Sequence, residues 1–166
     1  DKELRMLTKI KIYSWTLAFL LLSAQFAGAG IVLSERDAES GFALTGDGQE
    51  IVFDADKTFA DGYSADPGGA LNVSGSSLHF KQDAVFTGNV SGQKGGAAYL
   101  ENSNMTVDGK AVFDSNSLIY DEQNKLTSHG AGLYAKDSSL TFNGEAEFSG
   151  HDAFRGGGFF ALNSSA

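Results

Sequence analysis

One spacing constrains what this chain can fold into more than any other feature. Three segments open on a glycine and reach a phenylalanine after the same ungapped interval: Gly68 to Phe86, Gly95 to Phe113 and Gly130 to Phe148. Their openings read Gly68-Gly69-Ala70-Leu71, Gly95-Gly96-Ala97-Ala98 and Gly130-Ala131-Gly132-Leu133. Interior positions agree too. Ten residues after the first glycine stand Leu78, Met105 and Leu140; twelve after it stand Phe80, Val107 and Phe142; sixteen after it stand Ala84, Ala111 and Ala146. A weaker copy fits the template from Gly41 through Ile51 and Phe53 to Phe59, and a fifth opens at Gly156-Gly157-Gly158. The openings at Gly41, Gly68, Gly95, Gly130 and Gly156 are nearly evenly spaced except for the longer step from Gly95 to Gly130. On this template the length variation falls between the phenylalanine and the next glycine pair, the longest interval placing its extra residues in Ser117–His129.

Repeats of this length are supersecondary units that stack on one another. Within each copy the apolar residues alternate with polar ones, as in Leu78-His79-Phe80, Met105-Thr106-Val107 and Leu140-Thr141-Phe142. That period of two marks a strand with one buried face, and helical periodicity is not sustained after residue 30. A lone strand of this kind cannot bury its inner side, so the copies must supply one another's cover. The expected fold is all-β: a parallel β-helix, or β-solenoid, of about 26–35-residue repeats, with ladders such as Phe86 over Phe113 over Phe148. Abundant glycine and phenylalanine, a single proline and no cysteine suit a turn-rich core and exclude a disulfide framework or thiolate metal site.

Residues 1–29 read as a helical signal peptide. Arg5, Lys9 and Lys11 form a basic segment, Leu17–Leu22 an apolar centre, and Ala27 and Ala29 the small residues of a cleavage site before Gly30. The alternative is an uncleaved membrane anchor, since no charge occurs between Ile12 and Ser34. Either way the remainder is exported. Residues 30–67 would then form a cap and degenerate first repeat, and residues 68–166 the repeats proper. The chain is acidic, with 12 Lys and Arg against 21 Asp and Glu, and has no basic run, so no nucleic acid is expected as a partner.

Gly-Gly-Ala followed by Phe-x-x-Asn, here Phe86-Thr87-Gly88-Asn89 and Phe113-Asp114-Ser115-Asn116, resembles the repeat of the polymorphic outer membrane proteins of chlamydiae and related bacteria. The third copy departs from it with Phe148-Ser149-Gly150-His151. The resemblance implies an autotransporter passenger acting in adhesion to a host-cell or neighbouring-cell surface ligand. It also implies anchoring in the outer membrane through a C-terminal barrel that no segment of this chain supplies.

The motif residues Gly68, Gly69, Phe86, Asn89, Gly95, Gly96, Phe113, Asn116, Gly130, Phe148, Gly156 and Gly157 are read as structural, the asparagines as turn residues bonded to nearby backbone. Tyr99, Tyr134 and Phe160 share a repeat position, where Asn72 stands in the first full copy. They form either a partly buried ladder, the preferred reading, or an exposed binding column. Ser91-Gly92-Gln93-Lys94 matches S-x-x-K, but without a helix to align the two groups it reads as chance. Neither the three histidines nor Asp54, Asp56 and Asp61 have ligand spacing, so no metal or cofactor is expected. A secreted polysaccharide-acting β-helix enzyme and a purely structural surface protein stand as alternatives to the adhesin. The enzyme would need acidic and basic groups converging in a cleft, whereas here they do not recur at one repeat position.

Overall fold

A computed structural model of the chain describes residues 30–33, 42–45, 50–119 and 128–166, with side chains for 50–119 and 128–166. Residues 1–29, read above as a signal peptide with Ala27 and Ala29 at its cleavage site, lie outside the described residues. The described chain begins with β1 (Gly30–Leu33) and then coils. The first coil comprises β2 (Phe42–Thr45), β3 (Glu50–Phe53), β4 (Lys57–Ala60) and β5 (Tyr63–Ser64). The second comprises β6 (Leu71–Ser74), β7 (Ser77–Phe80), β8 (Ala84–Thr87) and β9 (Val90–Ser91). The third comprises β10 (Ala98–Glu101), β11 (Asn104–Val107), β12 (Ala111–Asp114) and β13 (Ser117–Leu118). A fourth follows with β14 (Leu133–Lys136), β15 (Ser139–Phe142) and β16 (Ala146–Ser149), and β17 (Phe159–Leu162) starts the next.

Equivalent strands of successive coils pair in parallel, in four sheets: β1-β3-β7-β11-β15, β17-β14-β10-β6-β2, β16-β12-β8-β4 and β13-β9-β5. The chain is therefore an all-β parallel solenoid of about four turns, the class that the repeat predicts, with no helix among the described residues. From the second coil on, the pairing follows the repeat register residue for residue: Leu78 on Met105 on Leu140, and Phe86 on Phe113 on Phe148.

The first coil corrects the template. β3 pairs with β7 as a copy opening at Gly41 requires, Ile51 opposite Leu78. β2, however, pairs with β6 out of that register: Phe42 stands opposite Leu71, where the template would put Leu44. Four residues separate β2 from β3, whereas Gly75-Ser76 alone separate β6 from β7. Length variation is thus not confined to the segment after the phenylalanine.

Each strand sends alternate side chains inward, and the core is a set of vertical columns. Phe59, Phe86, Phe113 and Phe148 stack with ring centroids 4.9, 4.6 and 4.8 Å apart and planes within 5° of parallel. Phe53 and Phe80 form a second stack at 4.4 Å, set edge-on to the first. In-register strands lie about 4.8 Å apart, so identical rings on successive coils meet at stacking distance without strain.

The glycine motif serves two needs. Gly95 takes φ +62°, a left-handed corner that favours glycine, and its counterparts Gly68, Gly130 and Gly156 do the same. Gly96 has an ordinary φ, but a Cβ there would lie 2.3 Å from the Ala131 carbonyl oxygen and 2.6 Å from that of Ser117, both backbone atoms. The second glycine therefore sets how closely consecutive coils approach.

Candidate binding surface

Inside the coil, the asparagine motif forms a buried ladder. Asn89 and Asn116 are both fully inaccessible. The Gly62 amide donates to Asn89 Oδ1 at 2.9 Å, and the Asn89 amide donates to Asn116 Oδ1 at 2.9 Å. Asn89 Nδ2 donates to the Phe59 carbonyl and Asn116 Nδ2 to the Phe86 carbonyl. Each side chain thus reaches back to the preceding coil, capping one amide and one carbonyl at its corner. These groups are consumed by the fold, as buried polar groups must be.

In the fourth coil His151 takes the asparagine's place: the Asn116 amide donates to His151 Nδ1 at 3.2 Å. An imidazole nitrogen can replace an amide oxygen only while it is unprotonated. Burial pushes the His151 pKa below its ordinary value near 6.5, while the Asn116 carbonyl 3.3 Å from Nδ1, which a protonated ring could bond, and the Asp114 charge oppose the shift. Folded chain therefore binds fewer protons here than unfolded chain. His151's contribution to stability is intact above about pH 6.5 and is lost as pH falls through the folded-state pKa. Urea midpoints measured from pH 7.5 to 5 are expected to fall in the native chain and to fall less in His151→Asn, which restores the amide. Equal slopes would remove His151 as the cause.

A further ladder escaped the sequence reading. Eight residues after each opening glycine stand Ser76, Ser103, Ser138 and Ser164. Each hydroxyl oxygen of the last three accepts the backbone amide of the serine before it, at 3.3, 3.1 and 3.1 Å, and donates to the carbonyl two residues upstream in its own coil. The recurrence was visible in the sequence, but serine is too common in loops to single it out unaided.

The S-x-x-K residues do not converge. Ser91 is buried, with its hydroxyl donating to the Asp66 carbonyl at 2.8 Å, while the Lys94 ammonium lies over the Tyr134 ring. Asp54 pairs with Lys81, and Asp56 Oδ1 accepts the Asp83 amide at 3.2 Å. His79 Nε2 meets Asp108 Oδ2 at 2.7 Å, and Asn143 Nδ2 donates to the other oxygen at 2.8 Å, holding the Asp108 carboxyl below its usual range. Among the described residues no three His, Asp or Glu side chains gather as metal ligands.

The surface with the most distinctive chemistry is the outer face of β6, β10, β14 and β17. Alternation points Leu71, Val73, Ala98, Leu100, Leu133 and Ala135 into the core, and so points Asn72, Tyr99, Tyr134 and Phe160 outward. The three rings stack at 5.3 Å each, within 11° of parallel. Tyr134, between the other two, is only 2% exposed, whereas Tyr99 and Phe160 are half-buried. The column is therefore a ladder whose middle ring is covered, leaving the half-buried Tyr99 and Phe160 at its ends. Tyr99 donates to Glu101 at 3.1 Å, and burial together with that carboxylate pushes its phenol up to about 12. Lys136 pairs with the other oxygen of Glu101.

Beside the rings runs a second column. Lys94, His129 and Arg155 each stand immediately before an opening glycine, and His129 forms parallel bridges to the other two. Each of the first two reaches to the ring of the following coil: Lys94 Nζ lies 5.1 Å from the Tyr134 centroid, and His129 stacks on Phe160 at 4.6 Å. Arg155 is exposed, with its guanidinium 5.7 Å from the ring of Phe154. Two cations, Lys94 and Arg155, with an imidazole between them and aromatic rings beside them, thus line up through stacking, an arrangement missing along the chain.

Compared with family models, curated proteins and solved structures, the chain matches none of them.

Proposed function

We propose that this chain is part of an exported, cell-surface β-helical passenger that acts as an adhesin of autotransporter type. The observation that carries the reading is the division of labour between inside and outside. The fixed-spacing residues of the repeat, Phe86, Asn89, Phe113 and Asn116 among them, are wholly consumed by the core, while one outer sheet face carries an ordered aromatic and cationic column. A rigid solenoid presenting a long, regular face suits recognition of an extended ligand. The Gly-Gly-Ala and Phe-x-x-Asn resemblance, the leader-like residues 1–29 and the acidic balance support placement outside the cell.

The test is direct. Fluorescently labelled chain is incubated with cultured animal cells and with bacterial cells, and bound label is measured against concentration. Saturable binding, competed by unlabelled chain, is the expected result. Binding that rises linearly without competition on every cell type would overturn the adhesin reading.

A further inference from the structure

Resting on that reading and deepening it, we propose that the ligand is an acidic polysaccharide, a chain bearing sulfate or carboxylate groups, held along the outer face of β6, β10, β14 and β17. The first argument is charge distribution. Residues 50–119 and 128–166 carry six Lys and Arg and thirteen Asp and Glu. Three of the six cations, Lys94, Lys136 and Arg155, stand on or beside this face with a single carboxylate, Glu101. The other three cations, Lys57, Lys81 and Lys110, share the rest of this surface and core with twelve carboxylates, of which Asp137 borders the stripe at the corner beyond Lys136. One face of an otherwise acidic body is thus locally cationic, and field lines from an anionic ligand converge there.

Repeat geometry supplies the second argument. Lys94, His129 and Arg155 stand on successive coils about 4.8 Å apart, so their backbone positions span about 10 Å along the solenoid axis. A polymer with regularly placed anionic groups can lie along such a column and meet Lys94 and Arg155 at once, passing over the half-buried His129 between them. Lys94 is held in place by the Tyr134 ring, so little side-chain freedom is lost when it engages an anion.

A third argument separates a polysaccharide from a nucleic acid. Single-stranded nucleic acid needs open ring faces on which bases stack. Here the faces within the column are covered: Tyr134 is sandwiched between Tyr99 and Phe160, and Phe160 also receives His129. What remains accessible are parts of the half-buried end rings, Tyr99 with its hydroxyl on Glu101 and Phe160, whose edges suit the rims of sugars.

The experiment uses the full chain, with heparin and a polyuronate as anionic probes, dextran as the neutral one and single-stranded DNA as the competing polyanion. Affinity electrophoresis or calorimetry at low salt is expected to show binding to heparin or polyuronate, none to dextran, and loss of binding as salt rises. The double variant Lys94→Gln with Arg155→Gln is expected to weaken binding at least tenfold. Lys81→Gln with Lys110→Gln, on other faces, should leave it within about twofold, and circular dichroism checks that all variants fold. No retention of either anionic polysaccharide, or equal effects of the two double variants, would overturn the proposal. So would tighter binding of DNA, which would assign the face to nucleic acid. Cell binding without polysaccharide binding sinks this inference and leaves the adhesin standing. Polysaccharide binding without cell binding does the reverse.

Discussion

Phe113→Ala is expected to destabilise the folded chain by about 3–5 kcal/mol. Phe113 is fully buried, with Phe86 stacked on one side at 4.6 Å and Phe148 on the other at 4.8 Å. Truncation removes the transfer energy of the ring and opens a cavity walled by two further rings. Those rings cannot close it, because each is held at strand spacing by the parallel ladder of its own coil. Thr141→Ala, on the outer side of β15, removes atoms that face solvent and should cost no more than about 0.5 kcal/mol. Urea unfolding of both variants decides the matter. Equal midpoints would mean that the phenylalanine column is not the core.

The second large effect is expected at Asn116→Ala. The Asn89 amide and the Phe86 carbonyl lose their partner, and Asn89 Nδ2 loses one of its two bonds, keeping the Phe59 carbonyl. Each unsatisfied buried group costs about 1–3 kcal/mol, so the loss should be about 3 kcal/mol or more. Asn116→His offers a discriminating comparison, because His151 already fills the equivalent place one coil later. If the ladder needs an acceptor aimed at the preceding amide, histidine should retain more stability than alanine at neutral pH and lose that advantage as pH falls. A histidine variant no better than alanine would show that side-chain volume rather than hydrogen bonding makes the position sensitive.

The two substitutions test different halves of one design. Phenylalanines hold the coils together by area, while asparagines and serines satisfy the backbone at corners where strand pairing is interrupted. Left-handed residues mark those corners. Gly75, Asn102, Asp137 and Asn163 recur seven residues after the opening position, and Asp61, Gly88, Ser115 and Gly150 recur twenty after it, all with φ between 49° and 66°. Glycine and short polar residues tolerate that conformation, often with help from local hydrogen bonds. A corner can therefore change residue type without changing shape.

The amino-acid sequence by itself determined the class of fold, its repeat and most of its core. Period-two alternation names the inward residues of each strand, and the constant interval from glycine to phenylalanine puts Phe86, Phe113 and Phe148 in one column before any coordinate is known. Such information is local to each copy and is simply repeated. Only the tertiary structure decided which residues of different copies share a surface. The offset of β2, the serine ladder and the stripe of Lys94, His129 and Arg155 beside Tyr99, Tyr134 and Phe160 all depend on register between coils and on where each corner sends its side chains. The physical reason is that burial writes itself into a sequence as hydrophobicity, whereas an outward face is polar or mixed on every side. It becomes a surface of particular chemistry only when stacking brings residues a whole coil apart in sequence to within about 5 Å of one another.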